Sequence, residues 1–266
     1  MRGSTALWVF AACRATTAAL LVAVVALVGF GCDQTDQPPT SSKVTASAPS
    51  GQAVGDAVPG SDAPTSEDAV ARDDRPRIVA FGDSLTAGLG VPSEDSYPAR
   101  LQRRLDDAGY RYQVVNAGVS GDTTAGGVRR VDWVLRSRPS IVIVEFGGND
   151  GLRGLDLDQT RANFERIITR LQAGGAQIIL AGMQLPPNYG REYTTRFAKL
   201  YPELARKYDV TLMPFFLEGV AAQVSLNQAD GIHPTGAGYE VIVNNLMKTL
   251  APLLNQPRSR RVEPSG

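Results

Sequence analysis

Between residues 77 and 254 the hydrophobic pattern keeps changing period, and that alternation constrains the fold more than any other feature of the chain. Short apolar runs stand at 77–81 (RIVAF), 112–116 (YQVVN), 141–146 (IVIVEF), 177–181 (QIILA) and 211–215 (TLMPF). Near-continuous runs of this length suit strands buried on both faces. Between them apolar residues recur every three or four positions. One predicted helix opens at Ser96-Tyr97-Pro98, turns Leu101, Leu105 and Ala108 inward and stops at Gly109. Others are predicted at 123–136, at 160–173 with Phe164, Ile167, Ile168 and Leu171 on one stripe, at 192–208 and at 235–253. Strands and helices in alternation predict an α/β domain of three layers, α/β/α, around a five-stranded parallel sheet. Such sheets bind ligands at the carboxyl ends of their strands.

The rest of the chain reads differently. Arg2 and Arg14 precede an uncharged stretch, 15–32 (ATTAALLVAVVALVGFGC), which has the form of a signal peptide with its apolar region. Gly31-Cys32 resembles a bacterial lipoprotein cleavage site, after which the mature chain begins at an acylated Cys32; Gly29 stands where that pattern usually has a Leu-like residue. Cleaved secretion and an uncleaved anchor remain alternatives. Residues 33–75 contain no Leu, Ile, Phe, Trp or Tyr, five prolines, and eight acidic against three basic residues. A segment this poor in apolar surface cannot offset its chain entropy, so it is expected to be a disordered tether. Its reach is roughly 35 Å on random-coil statistics. The expected organisation is a signal at 1–32, a tether at 33–75, one domain at 76–255 and a disordered tail at 256–266. The protein is accordingly expected to be exported to the periplasm or cell envelope and held at the membrane through Cys32.

Charge and composition narrow the chemistry. Lys+Arg and Asp+Glu are each 27, so there is no basic field to collect phosphates, and a nucleic-acid partner is not expected. The two cysteines, Cys13 and Cys32, both lie in the export segment, which leaves no thiolate metal site or disulfide framework downstream. There is one histidine, His233. Metal centres built on several imidazoles are therefore excluded, and no metal or organic cofactor is expected.

Four polar segments fall where a parallel sheet puts its ligands: Gly82-Asp83-Ser84-Leu85, 116–122 (NAGVSGD), Gly147-Gly148-Asn149-Asp150 and Asp230-Gly231-Ile232-His233-Pro234. A serine hydroxyl needs an adjacent base to become a nucleophile, and His233 is the one imidazole available. Asp230, three residues upstream, can bend back to accept from His233 and set its tautomer. Acyl transfer also needs donors aimed at the developing oxyanion. Gly118 allows close approach to its N–H, Asn149 offers an amide, and Ser84 its own N–H. Taken singly these are weaker signals: Gly-Asp-Ser is a common turn, Asn149 suits a left-handed turn, and a His before Pro is often a cap. Asp83, Asp122 and Asp150 read as loop anchors or caps. Thr86 stands where the G-x-S-x-G elbow has its last glycine, so that elbow is absent.

The four segments in this order resemble the GDSL, or SGNH, hydrolase family, with Ser84 in GDSL, Gly118 in NAGVSGDT, Asn149 in GGND, and Asp230 with His233 in DGIHP. The resemblance covers essentially all of 77–254. It is strongest to the bacterial branch of multifunctional thioesterases I, lysophospholipases and arylesterases, through 146–154 (FGGNDGLRG), 183–190 (MQLPPNYG) and 209–220 (DVTLMPFFLEGV). It implies the flavodoxin-like SGNH hydrolase fold and a serine esterase or thioesterase that hydrolyses acyl esters, aryl esters or lysophospholipids through an acyl-enzyme on Ser84. In that reading Ser84, Gly118 and Asn149 form the oxyanion hole, His233 is the base and Asp230 orients it. The resemblance further suggests an acyl groove lined by Leu152, Arg153, Leu155, Pro186 and Tyr189. The expected partner is a small-molecule or lipid acyl ester, met by a monomer at the membrane surface. A carbohydrate O-deacetylase of the same family and a non-catalytic lipid-binding lipoprotein are the competing readings.

Overall fold

The first strand of the domain, β1 (Arg77–Gly82), has neighbours on both sides, β2 (Gln113–Gly118) and β3 (Ile141–Glu145). This computed structural model describes residues 73–254. The expectations for the export segment, Cys32, nearly all of the tether and the tail lie outside the described residues. The last three tether residues are described: the Arg75 guanidinium pairs with Asp73 at 2.8 Å and donates to the Tyr112 carbonyl at 3.2 Å, which ties them to the start of the domain.

Two further strands, β4 (Gln177–Ala181) and β5 (Thr211–Met213), complete a parallel five-stranded sheet in the order β2-β1-β3-β4-β5. Ile78 aligns with Val114 on one side and Ile141 on the other. The three central strands are buried on both faces, which is why their sequences run apolar without alternation. β2 and β5, at the edges, are partly exposed. β2 runs two residues beyond its predicted end because it stays paired with β1 down to Gly82 and Gly118. β5 stops two residues short of its predicted end, where Pro214 has no N–H for a ladder.

The helices that cover the sheet are α2 (Tyr97–Asp107), α3 (Thr124–Arg136), α5 (Leu157–Ala173), α6 (Arg191–Tyr208) and α7 (Gly236–Leu254). α3 packs on α5 and α5 on α6, while α2 packs on α7. Right-handed crossovers place these two groups on opposite faces, giving the three layers. Gly127 lets α3 close on α5, since a Cβ there would lie 2.9 Å from Ile167 and 3.1 Å from Phe146. α5 starts three residues before its predicted start because Asp156 caps it, with Oδ1 accepting from the N–H groups of Asp158 and Gln159 at 2.8 Å each.

Two short helices escape the sequence periodicity: α1 (Ser84–Ala87) and α4 (Gly148–Leu152). Both sit at the carboxyl edge of the sheet, after β1 and β3. These adjacent strands send their crossovers in opposite directions, so a crevice opens between them.

Candidate active site

β1 delivers the chain to this crevice through Gly82. A Cβ there would lie 2.1 Å from Thr86 Oγ1 and 2.5 Å from the Glu145 carbonyl, so only glycine fits. Asp83 then caps α1, its Oδ1 accepting from Leu85 N–H at 3.0 Å. The cap makes Ser84 the first residue of the turn. Its N–H has no acceptor among the described residues, and its side chain is nearly buried, at 8 % exposure.

His233 reaches Ser84 from the far end of the domain, with Nε2 2.9 Å from Ser84 Oγ. Its Nδ1 is 2.6 Å from Asp230 Oδ2. Asp230 Oδ1 accepts from the N–H groups of Ile232 at 2.9 Å and His233 at 3.0 Å. The His233 backbone N–H, then the imidazole, then the Ile232 N–H draw the Asp230 carboxyl down to about 2. An ionised Asp230 accepts only, so Nδ1 carries the proton and Nε2 offers its lone pair to the Ser84 hydroxyl. The arrangement can deprotonate Ser84 as it attacks a carbonyl.

The loop carrying His233 is tied down by Gln228, which stands outside all four polar segments: its Nε2 donates to Leu89 O at 2.8 Å and to Pro234 O at 3.0 Å. Leu89 in turn donates its N–H to Ser84 O at 3.1 Å. One amide thus joins the loop behind Ser84 to the loop holding His233. Its sequence neighbourhood carries no signal of this, because Leu89 lies 139 positions away.

Gly118 and Asn149 also lie at the crevice. The Gly118 N–H donates to Asn116 Oδ1 at 2.9 Å, so it is already committed. A Cβ at Gly118 would lie 2.2 Å from Ala87 N, and the glycine is needed for β2 to close on α1. Three residues on, Gly121 has φ of 81° and its N–H has no acceptor among the described residues. Its carbonyl accepts from Arg153 Nη2 at 2.9 Å, and the same guanidinium lies 3.4 Å from Asn149 Oδ1. Asn149 Nδ2 donates to Asp83 Oδ2 at 3.0 Å and to Asp122 O at 2.9 Å.

Two acidic residues act as ties. Asp150 accepts from Thr124 N at 2.9 Å and Thr124 Oγ1 at 2.5 Å, and lies 3.4 Å from Thr160 Oγ1, joining α4 to the starts of α3 and α5. Asp122 pairs with Arg130 at 2.6 Å. Asp83 is different. It is buried beside Glu145, which is fully buried, and desolvation raises the Asp83 carboxyl to about 6. Burial first, and then the Asp83 charge, push Glu145 well above the usual carboxylate range.

The residues expected to line a groove meet at α4 and the turn after β4. Tyr189 Oη donates to Leu152 O at 3.1 Å, and Tyr193 Oη to Leu155 O at 2.8 Å. Leu155 is exposed and Pro186 opens the turn at 187–189. An open hollow of about 400 Å³ lies behind this turn, lined by Gln184, Leu185, Thr194, Thr195, Lys199 and Pro202 among others, and contains none of the five predicted residues. Among the described residues no cluster of three His, Cys, Asp or Glu side chains could hold a metal, and no helix is long and apolar enough to cross a membrane.

Over most of this domain the chain is similar to known proteins. The model of the GDSL-like Lipase/Acylhydrolase family matches residues 80–241. Esterase TesA of Pseudomonas aeruginosa is 44% identical over 178 residues, 66% of this chain and 89% of that protein. Thioesterase 1/protease 1/lysophospholipase L1 of Escherichia coli is 39% identical over 179 residues, 67% of this chain and 85% of its own length. Among solved structures, the psychrotrophic esterase EstA from Pseudoalteromonas sp., inhibited by monoethylphosphonate, superposes with a TM-score of 0.65 at 30% identity, covering 68% of this chain and 99% of that one.

Proposed function

Because the chain belongs to the GDSL-like lipase/acylhydrolase family, and is therefore an ester-hydrolysing serine hydrolase, we propose that Ser84 is its nucleophile, His233 its general base and acid, and Asp230 the group that orients His233. The observation that carries this assignment is the unbroken relay from Ser84 Oγ through the imidazole to Asp230, at 2.9 and 2.6 Å.

In acylation Nε2 takes the Ser84 proton as Oγ attacks the ester carbonyl, and Asp230 stabilises the imidazolium. The carbonyl oxygen becomes an oxyanion beside Ser84 N–H and Asn149 Nδ2. The third donor is Gly121 N–H, which has no acceptor among the described residues, in preference to Gly118 N–H, which donates to Asn116. Asn149 shares an amide hydrogen between its resting acceptor and the oxyanion as a three-centre bond. Imidazolium then protonates the leaving alcohol or thiol. A water deprotonated by His233 releases the acid from the acyl-enzyme in the second half-reaction.

The substrates are carboxylic esters and thioesters with an apolar acyl or aryl part, including lysophospholipids. Support comes from the activities in the relatives' names and from the apolar side chains of Leu152, at the end of α4, and Leu155, after it; Arg153, Pro186 and Tyr189 are the other residues of the groove in this reading. Export, acylation at Cys32 and a disordered tether over 33–75 are supported by the charge and hydropathy pattern of the N-terminal segment alone. A relay complete within one chain needs no second copy to finish it, in keeping with a monomer.

Hydrolysis of p-nitrophenyl esters from acetate to palmitate, by the wild type and Ser84→Ala, tests the assignment. Turnover across several chain lengths that vanishes in the variant is expected. An acetate-only profile would transfer the reading to a deacetylase, and turnover independent of Ser84 would overturn it. Mass spectrometry of the mature N-terminus tests the acylation of Cys32.

A further inference from the structure

Beneath the nucleophile lies a buried polar cluster that the relay does not use. Glu145 ends β3 with no exposure to solvent, in the space that the missing Cβ of Gly82 leaves open, where its Oε2 would lie 2.6 Å from such a Cβ. Thr86 Oγ1 donates to Oε2 at 2.7 Å, and Oε1 finds no partner among the described residues. Asp83 directly follows Gly82, the residue paired with Glu145 across the sheet, and the two carboxyls lie close enough for each to shift the other. Asp83 is 2 % exposed and accepts from Leu85 N–H and Asn149 Nδ2, so it has acceptors to offer and no proton of its own to spare. Two carboxyls in contact, closed off from water, require one proton between them.

The other titratable groups facing the pair do not supply it. Tyr97 and Tyr239 are buried hydroxyls kept neutral by the same burial, as is Tyr201. Tyr239 Oη, like Glu145 Oε1, has no partner among the described residues. His233 approaches Asp83 only as a charge through space. Arg130 donates to Gly82 O at 3.2 Å and pairs with Asp122, not with Glu145.

We propose that Glu145 is a positioning residue: as a neutral acid it donates its carboxyl proton to Asp83, and the Asp83 carboxylate so held orients the Asn149 amide toward the reacting carbonyl. Asp83 sets the amide because it can only accept, which forces Nδ2 rather than Oδ1 to its own side, next to Ser84 in the chain. It also caps the turn that presents Ser84. The carboxyl of Glu145 thus reaches the chemistry through two hydrogen bonds without touching substrate. The inference rests on Asn149 being an oxyanion donor, as proposed above.

The test compares Glu145→Gln and Glu145→Ala in steady-state hydrolysis of p-nitrophenyl butyrate, each alone and combined with Asn149→Ala. Gln keeps an acceptor for Thr86 and an N–H donor for Asp83, so kcat is expected within about threefold of the wild type. Ala is expected to lower kcat by about tenfold or more at unchanged KM, a fraction of the roughly 10²–10³ that a lost oxyanion donor costs. In the Asn149→Ala background the Ala substitution should cost less than about twofold, because the group it acts through is gone. Equal losses in Gln and Ala, or full additivity with Asn149→Ala, would overturn the proposal. If Glu145→Ala does not fold, a Gln variant as impaired as Asn149→Ala overturns it equally. Failure of the underlying assignment has a separate mark: Asn149→Ala would then retain wild-type kcat.

Discussion

Replacing Asp230 by Asn and by Ala should rank the two variants in an order opposite to that of side-chain similarity. In the wild type, Asp230 Oδ1 accepts two backbone N–H groups and Oδ2 accepts the imidazole proton. Asn satisfies the backbone donors with its oxygen, which turns its NH₂ toward Nδ1. The imidazole must then accept at Nδ1 and carry its proton on Nε2, where it can no longer take the Ser84 hydrogen. Ala leaves a gap instead. The Asp230 side chain is 45% exposed, so water can enter and accept from Nδ1–H with the productive tautomer retained. With a solvated orienting group, the loss in Ala is expected at about 10²-fold in kcat/KM, about 2.7 kcal/mol. The wrong tautomer in Asn is expected to cost about 10³–10⁴-fold, about 4–5.5 kcal/mol. The assay is initial-rate hydrolysis of p-nitrophenyl butyrate at pH 8, after circular dichroism has shown both variants folded. An Asn variant as active as the Ala variant, or more active, would refute the tautomer reasoning.

Further expectations concern stability, positioning and access. Glu145 binds a proton in the folded state that the unfolded chain releases above its ordinary carboxylate range, so wild-type stability should fall as pH rises from about 4.5, by up to about 1.4 kcal/mol per pH unit. The Tm of Glu145→Gln relative to the wild type should therefore climb from pH 4.5 to 7; a constant difference would show Glu145 ionised in the fold. Asp230 titrates in the opposite sense. Its lowered carboxyl contributes stability above its unfolded value that is lost as pH falls through about 2, and Asp230→Ala should remove that part of the acid transition in a denaturation series. Gln228→Ala should lower kcat by about fivefold, the equivalent of one hydrogen bond, with Tm nearly unchanged. Asp156→Ala should cost about 1 kcal/mol in urea denaturation and leave kcat/KM intact, since the Asp156 carboxylate is spent on the first turn of α5. Deleting residues 1–72 should abolish hydrolysis of lysophospholipid in vesicles while soluble esters are cleaved as before; equal rates on vesicles would refute a role for the tether.

Much of this molecule is governed by interactions that repeat along the chain. Continuous apolar runs and three-to-four spacing depend on burial one residue at a time, so five strands and five long helices are legible in the letters, with ends displaced where a cap, a proline or continued pairing intervenes, as at Asp156, Pro214 and Gly118. The Asp230–His233 pair is equally legible, because three residues can close within one turn. Other features depend on which strand ends become neighbours. Glu145 reads as one more strand residue until Thr86, 59 positions away, donates to it and Asp83 shares its proton. Asn149 meets Asp83 across 66 positions, and Gln228 meets Leu89 across 139. The sequence points to Gly118, whose N–H the Asn116 side chain takes, whereas the Gly121 N–H has no acceptor among the described residues. The sheet, its layers and the residue types at its carboxyl edge follow from periodicity and local sterics, which the letters carry. Which donor is free, which acid keeps its proton and which amide locks two loops together follow from hydrogen bonds and desolvation, which act through space between segments that the chain order keeps far apart.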